Sequence, residues 1–170
     1  MTSRAMTIRL AELRDAQAIG FMSRDLIESG LGWKYDAERI LRAMRQRETV
    51  VLVACERGLI VGFAVMEFGD ERAHLVLLAV RPAHRRRGIG RGLLDWLLAS
   101  ARAAGMESVH LELRAGNEAA RGFYRALGFS ETLLVPGYYR GREAALRMLR
   151  LLRAPGATPF TWRPPALDQS

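Results

Sequence analysis

Leu75-Val76-Leu77-Leu78-Ala79-Val80-Arg81-Pro82, followed after Ala83-His84 by Arg85-Arg86-Arg87-Gly88-Ile89-Gly90-Arg91-Gly92, is the stretch on which the reading of this chain turns. Its first half is apolar on both faces, which predicts a central strand covered on both sides. Its second half runs into a segment, Ile89 to Ala104, in which Leu93, Leu94, Leu97, Leu98 and Ala101 form one wide apolar stripe at helical spacing. Gly105 suits the stop of that helix. The arginines and glycines therefore sit between a strand and a helix N-terminus. There the unpaired N–H groups of the first turn and their partial positive charge attract a phosphate oxygen. Glycine lets a bulky anion approach the backbone because no Cβ stands in the way, and arginine adds charge-assisted hydrogen bonds. A Walker A loop is excluded because no Gly-Lys-Ser/Thr occurs, and a dinucleotide fingerprint needs another glycine spacing. The plainer alternative is a glycine-rich helix start with solvated arginines.

Upstream, Thr7–Leu10 reads as a short strand. Asp15 is placed to cap a helix with Ile19, Met22 and Leu26 on its apolar face, and Asp36 to cap a second with Ile40, Leu41 and Met44. The stretch Ser29-Gly30-Leu31-Gly32-Trp33 between them is a loop that carries a large aromatic. Val50–Cys55, Leu59–Phe68 and Ala73–Val80 are strand-like runs joined by connections so short that neighbours must be antiparallel. Downstream, Val109–Arg114 is a strand that a helix separates from Ala73–Val80, so the two form a right-handed parallel βαβ unit. Asn117 opens a further helix to Leu127, with Gly128 as its stop. Glu131–Leu134 and Ala144–Leu149 are the last strands, with Pro136-Gly137-Tyr138-Tyr139 read as lying in the turn between them.

The 170 residues, 49% hydrophobic and 26% charged, are those of one soluble compact domain. No run is long and apolar enough for a membrane span, and no signal peptide is recognisable at Met1–Met6. A single cysteine, Cys55, cannot form an internal disulfide, so a reducing cytoplasm is the expected compartment. The net charge of +8 invites nucleic acid as a partner. However, Lys34 is the only lysine and the arginines are spread over the whole chain, whereas a nucleic-acid footprint clusters. The domain is expected over residues 6–152, with a proline-rich tail at 153–170 on which Phe160 and Trp162 are available for docking.

Arg85-x-x-Gly88-x-Gly90, after a strand ending Ala79-Val80-Arg81-Pro82, resembles the acetyl-CoA motif of the GCN5-related N-acetyltransferases. Leu111-Glu112-Leu113-Arg114-Ala115-Gly116-Asn117 with Ala120-Arg121-Gly122-Phe123-Tyr124-Arg125-Ala126-Leu127-Gly128-Phe129 resembles a second signature of that family. This second match is closest to the ribosomal-protein alanine and protein N-terminal acetyltransferases. The resemblance implies an α/β fold of the GNAT type: a mixed six- to seven-stranded sheet, splayed at its centre and flanked by about four helices. It implies acetyl-CoA as cosubstrate, with its pyrophosphate held by backbone amides from Arg86 to Arg91. Arg85, Arg86, Arg87, Gly88, Ile89, Gly90 and Arg91 are thus the candidate cofactor loop. The backbone along Leu78, Ala79 and Val80 would run beside the pantetheine arm. It implies no metal.

Asn117 offers a donor and an acceptor to pantetheine amides, or is a plain helix cap. Tyr124 is the candidate acid for the leaving thiolate, or a core tyrosine with its hydroxyl satisfied. Alternation along Val109–Arg114 sets Glu112 on one face with His110 and Arg114. A carboxylate on a central strand is the candidate base for an ammonium acceptor; the alternative is an ion pair with Arg114 or another arginine, and His74 is a weaker candidate base. Transfer by such a tyrosine–glutamate system is direct, and Cys55 lies far from both motifs. Trp33, Tyr138 and Tyr139 lie in segments similar to those that form the family's acceptor groove, where a tyrosine pair implies a peptide or protein N-terminus. A small-molecule amine as acceptor and a non-catalytic acyl-CoA-binding module remain alternatives. Homodimers are common in this fold, and nothing in the sequence selects one.

Overall fold

The computed structural model describes residues 6–153. The strands are β1 (Thr7–Leu10), β2 (Thr49–Glu56), β3 (Leu59–Phe68), β4 (Arg72–Val80), β5 (Ser108–Arg114), β6 (Ser130–Tyr139) and β7 (Glu143–Leu151). The helices are α1 (Ala16–Leu26), α2 (Ala37–Arg45), α3 (Ile89–Ala103) and α4 (Glu118–Ala126). One seven-stranded sheet runs in the order β1-β2-β3-β4-β5-β7-β6. All neighbours are antiparallel except β4 and β5. The expected mixed sheet, its meander and its single parallel crossover are therefore present. Among the described residues no helix is long and apolar enough to cross a membrane.

Two cores sandwich the sheet. On one face Ile89, Leu93, Leu94, Leu97 and Leu98 of α3, with Tyr124 and Phe129, pack on Leu52, Met66, Leu75, Leu111 and Met148. On the other face Ile19 and Met22 of α1 and Ile40 of α2 pack on Val53, Phe63, Val65 and Leu77. The leucine stripe read from the sequence is wholly buried, and truncating one such residue to alanine costs about 2–5 kcal/mol.

Strand β4 belongs to both cores because of a bulge. Val65 pairs with Leu77 but Met66 with Leu75, so Val76 is an extra residue without a β3 partner. One inserted residue flips the alternation. Ala73 and Leu75 therefore face the α3 core, whereas Leu77 and Ala79 face the α1–α2 core. The kink falls where β4 leaves β5.

Two local expectations are corrected. Asp15 makes no side-chain cap to α1; its carboxylate accepts from the Glu12 N–H at 2.7 Å and pairs with Arg9 at 2.7 Å. A buried carboxylate gains more from an arginine and a free amide in the preceding turn than from a cap. Tyr138 and Tyr139 end β6 rather than occupying a turn, which is instead made by Arg140–Arg142. Pro136 and Gly137 lie where the β6–β7 register is irregular, and proline is tolerated because β6 is an edge strand. The expected tail, with Phe160 and Trp162, lies outside the described residues.

Candidate active site

Strands β4 and β5 pair only over Arg72–His74 and Ser108–His110. Beyond that point each keeps its other neighbour: β4 stays on β3 to Val80, and β5 stays on β7 to Arg114. The sheet therefore opens at its centre, as expected. The opening is a cleft of about 1250 Å³, walled by Leu75–Val80 on one side and Leu111–Arg114 on the other. The Arg81 N–H donates to the Val61 carbonyl at 2.8 Å, so Arg81 faces β3. By alternation Ala79 does too, and the backbone groups of Leu78 and Val80 turn toward the gap. The Val80 carbonyl is met there by Arg85 Nε at 3.1 Å.

The mouth of the cleft is the start of α3. Gly88 has φ +79°, a conformation that disfavours side chains. The first helical bond runs from the Gly92 N–H to the Gly88 carbonyl, 2.9 Å, which leaves the amides of Ile89, Gly90 and Arg91 without a partner inside the helix. A Cβ added at Gly90 would lie 3.3 Å from the Phe123 ring and 3.6 Å from Val80, inside the mouth. Free amides, Arg85, Arg86 and Arg91 beside them, and a cradle that side chains would fill together fit a diphosphate. Arg87 is turned away from the cleft: its guanidinium grips Glu56 at 2.6 Å and 3.3 Å, and His84 Nε2 meets the same carboxylate at 3.2 Å. That pairing holds the Glu56 carboxyl below the usual range.

Asn117 borders the cleft and caps α4, accepting from the Ala120 N–H at 3.1 Å. Tyr124 also borders the cleft but is buried, edge-on to Phe123 and Phe129. Burial pushes its phenol upward, so it stays protonated. Glu112 reaches the cleft while accepting from His74 Nε2 at 2.7 Å and from Arg147 Nε at 3.1 Å. The hydrogen bond with His74, then the charge of His74 and the hydrogen bond with Arg147, hold its carboxyl below the usual range against a burial that pushes upward. The arginine partner of Glu112 is thus Arg147, its neighbour across the ladder on β7, and not Arg114. His110 stacks on His74, with ring centroids 4.5 Å apart at 4°. Burial, then His74, push His110 down. With Glu112 these two histidines form a potential ligand cluster. However, parallel stacked rings cannot aim in-plane lone pairs at one ion without turning.

Of the aromatic residues expected at the acceptor end, Tyr139 borders the cleft. Burial pushes its hydroxyl up to about 12. Tyr138 packs edge-on to Tyr139 but is exposed and off the cleft. Trp33 lies on a separate depression of about 450 Å³ with Arg24 and Asp25, its Nε1 donating to the Gly20 carbonyl at 3.0 Å. Instead, Leu26, Ile27, Ser29 and Leu31 line that end of the cleft, with Arg114 and Glu143. The alternation that puts Arg114 on the face of Glu112 was a signal for the first of these two; nothing local marks Glu143.

The acetyltransferase (GNAT) family model matches residues 12–129. The chain is 36% identical over 96 residues to the ribosomal protein bS18-alanine N-acetyltransferase of Escherichia coli, a match over 55% of this chain and 65% of that protein. It is 30% identical over 164 residues to the L-methionine sulfoximine/L-methionine sulfone acetyltransferase of Salmonella typhimurium, covering 86% of this chain and 94% of that one. The structure of yncA from Salmonella typhimurium with its cofactor acetyl-CoA superposes with a TM-score of 0.77 at 25% identity, over 92% of this chain and 99% of that chain.

Proposed function

The chain belongs to the acetyltransferase (GNAT) family, and on that premise we propose that it moves the acetyl group of acetyl-CoA directly to a primary amine, a peptide or protein N-terminus. The observation that carries this reading is the opening between β4 and β5, which continues without interruption from the free amides of α3 to Glu112 and Tyr139. The diphosphate rests on Ile89–Arg91, with Arg85 and Arg86 beside it. The pantetheine arm lies along the free edge of Leu78–Val80, with Asn117 on the opposite side.

The amine nitrogen attacks the thioester carbonyl carbon, the C–S bond breaks, and the amine proton and the thiolate are each served by a side chain. A carboxylate held as low as Glu112 takes a proton from a free α-ammonium, of pKa about 8, only against more than 4 kcal/mol. Near neutral pH, however, a fraction of such amines is already neutral. Once nitrogen has added to the carbonyl, its N–H is far more acidic, and an ionised Glu112 accepts that proton readily. Tyr124, kept protonated by burial, presents its O–H to the departing thiolate. Because a free thiol has a pKa near 8.5, this phenol stabilises the thiolate by a hydrogen bond more than by full proton transfer. The apolar wall of Ile27 and Leu31 opposite Tyr139 suits an extended peptide end. A cytoplasmic setting belongs to the same proposal, since both acetyl-CoA and a lone cysteine suit a reducing compartment.

A small amine is the second reading, favoured by the likeness to the methionine sulfoximine enzyme over nearly the whole of both chains. Turnover measured across N-terminal peptides and free amino-acid-like amines separates the two. The proposal expects kcat/KM for the best peptide to exceed that for the best small amine by at least tenfold; the reverse order selects the second reading, and no transfer to any amine removes both.

A further inference from the structure

Arg114 ends β5 and reaches over the acceptor end of the cleft. Its Nη2 donates to the carbonyl oxygens of Ile27 (3.1 Å) and Ser29 (2.5 Å), and its Nη1 meets Glu143 at 3.3 Å. The guanidinium carbon lies 5.9 Å from the centre of the Tyr139 ring. A single planar group thus joins three segments distant in sequence: the loop after α1, the tip of β5 and the β6–β7 hairpin. A guanidinium can do this because its donors are fixed in a fork; an ammonium is a point charge on a flexible stem. The carbonyls it takes follow the last residue of α1, where the helix end attracts a cation.

The loop it holds is braced internally. Buried Glu28 accepts from the N–H groups of Lys34 (2.7 Å) and Tyr35 (3.2 Å) and from the Ser23 hydroxyl (2.9 Å). The segment from Ile27 to Tyr35 is therefore tied together through Glu28 and to Ser23 of α1. The hairpin touches it a second time, since a Cβ added at Gly32 would run into the Arg140 guanidinium.

We propose that Arg114 is a positioning residue that assembles the acceptor site, by setting the distance between the loop wall of Ile27 and Leu31 and the hairpin wall of Tyr139. What the site receives rests on the acetyl-transfer reading; that Arg114 builds it does not. Its contacts lie at the opposite end of the cleft from the glycine-lined mouth, so its loss separates the two substrates.

The test compares wild type, Arg114→Ala and Arg114→Lys, using acetyl-CoA with a peptide acceptor and following amide hydrogen exchange in the free protein. In Arg114→Ala the KM for the peptide rises roughly 10-fold or more, the loss expected from cutting charge-assisted hydrogen bonds. The affinity for acetyl-CoA stays within about twofold, and exchange at residues 27–35 accelerates about 10-fold. Lysine does not rescue. Glu143→Gln, which leaves the two carbonyl contacts in place, gives a smaller rise of about threefold and serves if Arg114→Ala fails to fold. Unchanged exchange at 27–35, an equal rise in KM for both substrates, or full rescue by lysine overturns the proposal. If wild type acetylates no amine, the acetyl-transfer reading fails, and the exchange data alone still decide the role of Arg114.

Discussion

The two ends of the cleft are built on different plans. The proposed cofactor end comes from one nearly continuous stretch, β4 and the start of α3, and offers chiefly backbone: an unpaired strand edge, free amides and glycines that leave room. The proposed acceptor end is assembled from segments as far apart as Ile27, Arg114 and Glu143, joined by the Arg114 side chain reaching a backbone carbonyl and a carboxylate across the gap. A backbone site tolerates changes of side chain so long as space and dihedral angles are kept. A site assembled from distant side chains changes shape with single substitutions. One fold can therefore keep one cosubstrate while changing its acceptor.

The largest expected effect attacks the backbone plan. Gly90→Leu puts a side chain where a Cβ alone is already 3.3 Å from Phe123, and it should weaken acetyl-CoA binding on the order of 1000-fold by calorimetry. Binding within tenfold of wild type would mean that the mouth is not the cofactor site. Glu112→Gln tests the chemistry between the two ends, with kcat falling about 100-fold. Its pH dependence is also informative. A carboxyl held below its ordinary value of 4.5 is already ionised at neutral pH, so the rise in kcat/KM near pH 8 belongs to the acceptor amine and should persist in the variant. Disappearance of that limb would show Glu112 titrating there, contrary to its pairing with His74. Tyr124→Phe should lower kcat about 30-fold, from loss of roughly 2 kcal/mol of hydrogen bonding to a thiolate, at unchanged affinity for acetyl-CoA. Unaltered turnover would leave the tyrosine a core residue.

The smallest effect checks that the frame outside both ends is understood. Asp15 is held low chiefly by its hydrogen bond with Arg9. A lowered carboxyl stabilises the fold above its ordinary value near 3.8, and that contribution is lost as pH falls through the folded value below it. Asp15→Asn should cost about 1.5 kcal/mol in urea unfolding at pH 7. The gap to wild type should close below about pH 4; a constant gap down to pH 2 would contradict the assignment.

The same contrast explains what was legible in the sequence. Strand β4 and the α3 stripe are patterns within a short window, and their bounds in the structure lie within a residue of those the sequence predicts. The bulge at Val76 left no trace, because a double-faced apolar strand reads the same with or without an inserted residue. Arg87 sits in the cofactor motif, yet its charge is spent on Glu56, a partner 31 positions away. Trp33 and Tyr138 are off the cleft, because which way such side chains face depends on contacts such as Trp33 with Gly20 that no local spacing encodes. Arg114 was visible only as a neighbour of Glu112. Its real partners, two backbone carbonyls more than eighty residues earlier, exist only once the sheet has formed.

The central claim is that the opened β4–β5 edge takes up the cosubstrate, and a crystal structure of the protein soaked in acetyl-CoA tests it most directly. The account predicts diphosphate oxygens on the amides of Ile89–Arg91 and pantetheine amides bonded to the backbone of Leu78 and Val80. Density for acetyl-CoA elsewhere, with that edge still bare or closed onto β5, would contradict it.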